Sequence, residues 1–186
     1  YRKPVQGDID DWTHFLHGAD GNAVSKDTVV GPPRRIQWQA GPKAGKNHDV
    51  SSSSVMVTSN GRVFYDIDEG LREADRISTQ WVIVARDAFN GILLWKRHVP
   101  KWGVEFERHV PPIQMQRRMV CDGDSLYLKE GVGLPVHRLD GATGDILQTY
   151  PGSENPATYE SYVSLTDPDK GIQDQKVHIY MNHPMV

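Results

Sequence analysis

The stretch VIVARDAFNGILLWKR, Val82 to Arg97, decides the fold. Apolar and β-branched residues stand at both of its ends, and the segment FNG between them has turn chemistry. Two apolar runs around a short turn with glycine are typical of a β-hairpin. A hairpin is also indicated upstream, where SVMVTS and RVFYDI flank Asn60-Gly61, a pair that accepts positive φ at both turn positions. The segments RRMVC-DGD-SLYLKE and PVHRLD-GATG-DILQTY repeat the pattern, so the sequence predicts an all-β fold.

The hairpins recur in the same order along the chain. MVTSNGRVFY aligns with RRMVCDGDSLY, which matches Gly61 to Gly123 and Tyr65 to Tyr127. A period of about 40 to 60 residues with four strands in each unit is a signature of a β-propeller. We therefore expect propeller blades of four antiparallel strands.

The second hairpin of each unit aligns as well. RDAFNGILL and LDGATGDIL match Asp87 to Asp140 and Gly91 to Gly144. Glycine at such a position supplies a tight turn or permits close approach of another group. An aspartate before the turn can accept hydrogen bonds from the backbone amides that follow it. These four residues are therefore predicted to shape the outer turn of each blade.

Residues 85 to 95 read A-x-D-x-x-x-G-x-x-x-W. This motif is similar to the tryptophan-docking repeat of quinoprotein β-propellers of the pyrroloquinoline-quinone (PQQ) type, in which the tryptophan of one blade stacks against the next blade. In the second unit, Arg138 and Gln148 replace the alanine and the tryptophan. The resemblance implies structural docking roles for Ala85, Asp87, Gly91 and Trp95, for Asp140 and Gly144 in the second unit, and for Trp38 in the closing strand of a preceding blade.

The N-terminal segment is similar to a lead-in that precedes the first blade in large PQQ-binding-like propeller proteins of planctomycete-type bacteria. The shared positions are Trp12, His17, Gly18, Asp20, Asn22, Ser25 and Asp27. We expect a lead-in over residues 1–31, propeller blades over 32–160, and the start of a further blade or an irregular tail over 161–186. The resemblance also implies a bacterial protein outside the cytoplasm, in the periplasm or cell envelope.

The 186 residues suffice for about three blades, an incomplete ring, whereas propellers usually have four to eight. We therefore expect another chain, or the remainder of the same protein, to complete the ring. The formal net charge of −3 provides no basic footprint for nucleic acid. No apolar run is long enough to predict a membrane span. The single cysteine, Cys121, excludes an internal disulfide.

Two clusters have residue types that could carry metal or hydrolytic chemistry. His14, His17 and Asp20 form a credible zinc ligand set, because histidine and aspartate are common zinc ligands and the histidines are three residues apart. The lead-in resemblance instead favours turn-capping roles for this segment. His48-Asp49 precedes the serine run Ser51 to Ser54. A hydrolase triad there lacks a G-x-S-x-G elbow, and serines entering a strand are the favoured interpretation.

Paired arginines suggest an anion site. Arg117 and Arg118, like Arg34 and Arg35, could clamp the carboxylates of a quinone cofactor. Solvated blade edges that discourage strand pairing are the alternative. The segment Lys101 to Pro112 combines aromatic residues with a histidine in a long connection. Such loops often carry function, but packing of the loop itself is the favoured interpretation.

Three functions remain open from the sequence. The favoured one is a quinoprotein-like propeller module that acts as a binding or assembly scaffold and is non-catalytic in itself. The second is a portion of a PQQ-dependent alcohol or sugar dehydrogenase, an oxidoreductase. For such enzymes the resemblance implies PQQ with calcium and often a disulfide between neighbouring cysteines, which one cysteine cannot form. The third is a small metal-binding protein or hydrolase that uses the histidine clusters.

Overall fold

The structure is a computed structural model that describes residues 8–29, 31, 34–40, 53–70, 79–102, 113–131, 133–154, 160–164 and 176–180. Its strands are β1 Met56–Ser59, β2 Arg62–Asp68, β3 Trp81–Asp87, β4 Leu93–His98, β5 Met119–Asp122, β6 Ser125–Lys129, β7 Val136–Asp140, β8 Ile146–Tyr150, β9 Glu160–Ser164 and β10 Lys176–Tyr180. One 3₁₀ turn, Ile113–Arg117, precedes β5. No helix in these described ranges is long and apolar enough to span a membrane.

The strands form two four-stranded antiparallel sheets in the orders β1-β2-β3-β4 and β5-β6-β7-β8. Each sheet is a meander of sequential strands, which is the architecture of a propeller blade. The predicted all-β fold of four-stranded blades is therefore confirmed. β9 and β10 pair as a separate two-stranded sheet.

The two blades repeat each other down to their irregularities. The ladder between β3 and β4 shifts register after Ala85, and the ladder between β7 and β8 shifts after Arg138. These two positions are 53 residues apart, as are Asp87 and Asp140. The outer halves of the blades therefore follow the sequence alignment.

The first hairpin of the second blade follows the first hairpin of the first blade by one residue more than the sequence alignment indicates. Ser59 pairs with Arg62, and Asp122 pairs with Ser125, so the offset here is 63 residues rather than 62. Positive φ occurs at both turn residues of the first hairpin, Asn60 and Gly61, but in the second turn it is found at Gly123 alone. Because Gly123 occupies the first turn position, it corresponds to Asn60 and not to Gly61.

The packed core lies between the two blades. A single cluster of buried side chains contains Phe64 and Ile83 from the first blade and Leu126, Leu128 and Leu139 from the second. The opposite face of the second blade carries a smaller buried cluster of Val120, Tyr127 and Val136, with Tyr150 packed against it. Alternating residues of a strand point to opposite faces, so the second blade presents apolar side chains on both sides.

The lead-in joins the two blades along their first strands. The backbone amide of Trp12 donates to the Thr58 hydroxyl at 2.8 Å, and the Thr58 amide donates back to the Trp12 carbonyl at 2.7 Å. One residue later, the Thr13 carbonyl accepts from the Cys121 amide at 3.0 Å. Consecutive lead-in residues thus bind β1 and β5, which fixes the lead-in beside both blades.

Candidate functional site

A cavity of about 320 Å³ lies where the lead-in meets the second blade. Lead-in residues form one side of it, and the 3₁₀ turn and β5 contribute the other. It is lined by His14, Phe15, Leu16, Gly18, Ala19, Asp20, Gly21, Arg117 and Val120. The structure thus brings together three of the sequence-predicted site residues, namely His14, Asp20 and Arg117. Its lining mixes apolar surface with one cation and one carboxylate, which suits a small polar ligand.

His17, the third predicted zinc ligand, binds a different partner. Its Nε2 lies 2.6 Å from the Asp10 carboxylate, and its ring meets the Trp12 indole edge-on with a centroid distance of 5.1 Å. The residue is buried and has φ 69°, an uncommon value for a residue with a side chain. The hydrogen bond to Asp10 and the ring contact therefore hold this strained turn.

Asp10 is the centre of the lead-in, and the sequence did not reveal it. Its carboxylate accepts hydrogen bonds from the Lys26 amide at 2.6 Å and the Ser25 hydroxyl at 3.2 Å, in addition to the contact with His17. The Lys26 amide, followed by His17, holds the pKa of Asp10 below its ordinary value. Ser25 binds the aspartate and not the histidine, so this is not the arrangement of a serine nucleophile with its base.

Asp20 takes a local role. It accepts a hydrogen bond from the Asn22 amide at 3.1 Å, as a turn-capping aspartate does. In the part of the chain that the structure describes, no group of three or more His, Cys, Asp or Glu side chains is placed to hold a metal ion.

The two arginines of the predicted anion clamp diverge. Arg117 lines the cavity, whereas Arg118 is only 2% exposed. The Arg118 guanidinium donates to the Trp102 carbonyl at 2.9 Å and lies 5.9 Å from the centre of the Trp102 ring. Arg118 thus acts in packing between the blades, and one arginine of the pair faces the cavity.

A quinone with calcium can be tested against this donor set. The quinone carboxylates need cationic or amide donors, and calcium needs six to eight oxygen ligands. The described residues offer Arg117 for the former and no cluster of candidate ligands for the latter. Bound PQQ with calcium does not fit these residues by themselves.

A buried carboxylate, also missed from the sequence, ties the first blade to its flanking segments. Asp66 is fully buried on β2 and accepts hydrogen bonds from the Val55 amide at 2.8 Å and the Trp102 indole at 2.9 Å. The Ser54 amide donates at 2.8 Å, and the Ser54 and Ser53 hydroxyls contribute further contacts. Burial outweighs these donors and raises the pKa of Asp66. The end of the predicted serine run therefore supports the blade.

The two docking tryptophans make the same kind of contact, each with the turn of the following blade. The Trp95 indole nitrogen donates to the Gly141 carbonyl at 2.9 Å, and its ring covers Gly144 so closely that a Cβ there would lie 2.8 Å from it. The Trp38 indole donates to the Ala88 carbonyl at 2.9 Å, and its ring covers Gly91, where a Cβ would lie 2.6 Å away.

The aspartates of the motif shape the turns beneath those rings. The Asp87 carboxylate accepts from the amides of Phe89 and Asn90, and the Asp140 carboxylate accepts from those of Ala142 and Thr143. Ala85, fully buried, lies opposite Trp95 in the ladder between β3 and β4. At the corresponding place in the second blade, Arg138 lies opposite Gln148.

The other sequence candidates contribute no further site among the described residues. Arg34 and Arg35 are exposed, and Cys121 is a buried thiol whose pKa is raised by burial. His48, Asp49, Ser51, Ser52 and most of the connection predicted at Lys101 to Pro112 lie outside the described residues.

Comparison with known proteins gives little information about the function of the site. No protein-family model matches the chain, and no curated protein matches it. Among solved structures, it is similar to a europium-containing methanol dehydrogenase at 19% sequence identity and a TM-score of 0.34. The match covers 62% of this chain and 19% of that protein, so the chain corresponds to about a fifth of its length. The assignment to propeller blades therefore rests on the ladders and the docked tryptophans.

Proposed function

We propose that this chain is a portion of a quinoprotein-like β-propeller that acts as a non-catalytic binding or assembly scaffold. The observation that carries the proposal is the repeated docking contact, Trp38 on Gly91 and Trp95 on Gly144. The motif residues are engaged in packing blade against blade. Trp38 precedes β1, so it has the docking position of a blade ahead of the first one described.

Internal bonding of the chemically capable side chains supports the same proposal. Asp10 and His17 bind each other, Asp66 binds the flanking segments, and Arg118 binds Trp102. Groups engaged in this way stabilise a fold, because breaking such a contact leaves a buried polar group without its partner. We place the protein in the periplasm or cell envelope and expect another chain, or more of the same one, to complete its ring.

An activity and binding assay tests the proposal. The chain is incubated with PQQ and calcium, separated from small molecules by gel filtration, and assayed for dye reduction with simple alcohols. We expect neither retained quinone absorbance nor turnover. Retained quinone together with turnover would establish the dehydrogenase instead.

One observation favours a second, narrower function, a small-ligand site in the cavity. Arg117 is a cation beside His14 in a partly apolar cavity of about 320 Å³. If PQQ is retained without turnover, the variant Arg117→Gln should release it and Arg34→Gln should not, since Arg34 is exposed and outside the cavity lining. Equal retention by both variants would remove the cavity from consideration.

A further inference from the structure

Among the described residues, no strand pairs with the outer edge of the second blade. β8, Ile146–Tyr150, is the last strand in the order β5-β6-β7-β8, and β9 pairs with β10 rather than with it. Ile146 is 45% exposed and Leu147 is 53% exposed. An edge strand presents unpaired backbone donors and acceptors, and exposed apolar side chains beside them favour pairing with a further strand.

The equivalent edge of the first blade is guarded differently. β4 carries Leu93 and Leu94 where β8 carries Ile146 and Leu147, and all four are exposed. The C-terminal half of β4 contains two charged residues, Lys96 and Arg97. Lys96 binds Glu69 at 2.7 Å, and Arg97 binds Glu130 at 2.6 Å. Charged residues on an edge strand oppose strand addition. The sequence of β8, ILQTY, contains no charge at all.

We propose that a second copy of this chain binds here through antiparallel pairing of β8 with β8 of the partner copy. The proposal rests on the scaffold function, since it names one partner that the scaffold assembles. An uncharged strand can lie against itself without placing like charges opposite each other. Antiparallel pairing of identical strands is also the arrangement that a two-fold axis generates, and it closes as a dimer.

The register of this pair follows from the length of β8. With five residues, symmetric antiparallel pairing centres on Gln148, which then lies opposite Gln148 of the second copy. Ile146 faces Tyr150 of the other strand, and Leu147 faces Thr149. A contact of this length is smaller than standard stable interfaces, so the dimer forms in a concentration-dependent way.

Site-specific cross-linking tests the pairing directly. The natural cysteine, Cys121, is 1% exposed and does not interfere. Gln148→Cys places two thiols opposite each other in the dimer. Asp145→Cys places a thiol at another exposed position, just before β8, about 20 Å from its counterpart at 3.4 Å per residue. Under mild oxidation we expect at least a tenfold higher yield of covalent dimer from Gln148→Cys. Equal yields, or no dimer from Gln148→Cys, would overturn the proposal.

The second test introduces a charged residue on β8, and the matched control introduces the same residue on β4 of the first blade. Leu147→Lys should raise the dimer dissociation constant at least tenfold in sedimentation equilibrium, whereas Leu94→Lys should leave it unchanged. Circular dichroism confirms that each variant folds, which their exposed positions permit. An equal effect of both variants, or an extended apolar peptide that binds β8 of a strictly monomeric chain, would refute the second copy as the partner. Neither result would bear on the quinone assay, which tests the scaffold function separately.

Discussion

The indole nitrogen of Trp95 lies 2.9 Å from the carbonyl oxygen of Gly141, on the neighbouring blade. This hydrogen bond satisfies the polar atom of an otherwise apolar ring while the ring itself covers Gly144. The same contact holds Trp38 over Gly91. Blade packing therefore depends on a turn that has no side chain beneath the ring.

Adding a side chain at the docking turn should destabilise the protein. Gly144 has φ 78°, and a Cβ there would meet the Trp95 ring at 2.8 Å, so Gly144→Ala adds a clash to backbone strain. We expect a loss of roughly 2–5 kcal/mol in the free energy of unfolding, measured with urea. Gly123→Ala is the matched control, because Gly123 has φ 52° and a Cβ added there would meet no atom within 4 Å. It should cost only about 1–2 kcal/mol, and equal losses would argue against the docking contact.

Replacing Asp66 by asparagine should also destabilise the blade. The amide keeps the shape of the carboxylate but turns one acceptor oxygen into a donor, which then faces the Ser54 and Val55 amides or the Trp102 indole. We expect Asp66→Asn to lower the free energy of unfolding by roughly 2–4 kcal/mol. Asp145→Asn, at an exposed position, should change it by less than about 0.5 kcal/mol. An Asp66→Asn protein as stable as the parent would show that these bonds contribute nothing.

Lys129 should make stability rise with pH. Burial lowers the pKa of Lys129 from 10.5 to about 8, so between these values the unfolded chain binds more protons than the folded one. The free energy of unfolding then increases with pH at up to about 1.4 kcal/mol per unit. Cys121 and Tyr127, whose pKa values are raised by burial, act in the opposite direction above pH 9.

A difference measurement isolates the lysine from those two groups. The parent and Lys129→Met are unfolded with urea at pH 7.5, 8.5 and 9.5, and the two free energies are subtracted at each pH. We expect the parent to gain stability relative to Lys129→Met as the pH rises. A difference that is independent of pH would show that Lys129 titrates alike in both states.

The Asp10 contacts should matter more than those of Asp20. Asp10→Asn disturbs the bonds to His17, Lys26 and Ser25 and should lower the free energy of unfolding by about 1–3 kcal/mol at neutral pH. Asp20→Asn, which alters one exposed turn contact, should cost less than about 1 kcal/mol. Because the pKa of Asp10 is lowered in the folded state, its contribution is present above pH 3.8 and is lost as the pH falls below it. Equal effects of both variants would contradict the central place of Asp10.

Local motifs could be predicted from the sequence, and long-range contacts could not. The spacing of Asp87, Gly91 and Trp95 reflects one strand, one turn and the next strand, so it is visible in a short window. The donors to Asp66 come from residues 53 to 55 and from Trp102, and no local pattern links them. Asp66, between Tyr65 and Ile67 in β2, was the only local signal of this site, and it did not identify the partners.

In three places the sequence was compatible with more than one local arrangement, and it could not decide between them. Both Asp10 and Asp20 are near His17 in sequence, and only the structure shows that the His17 ring binds Asp10. The one-residue offset of the inner hairpins depends on which turn position requires positive φ, and DGD is compatible with either position. Arg117 ends the 3₁₀ turn and lines the cavity, whereas the next residue, Arg118, lies between that turn and β5 and binds Trp102.

A double-mutant cycle between Trp95 and Gly144 tests the docked-blade architecture most directly. Trp95→Ala alone should lower the free energy of unfolding by about 3–5 kcal/mol. In the Trp95→Ala background, Gly144→Ala should cost only its backbone strain, so the two changes should couple by about 1–3 kcal/mol. Gly123→Ala should show no coupling to Trp95. Additive losses for Trp95 and Gly144, to within about 0.5 kcal/mol, would contradict the docking of one blade on the next through this pair.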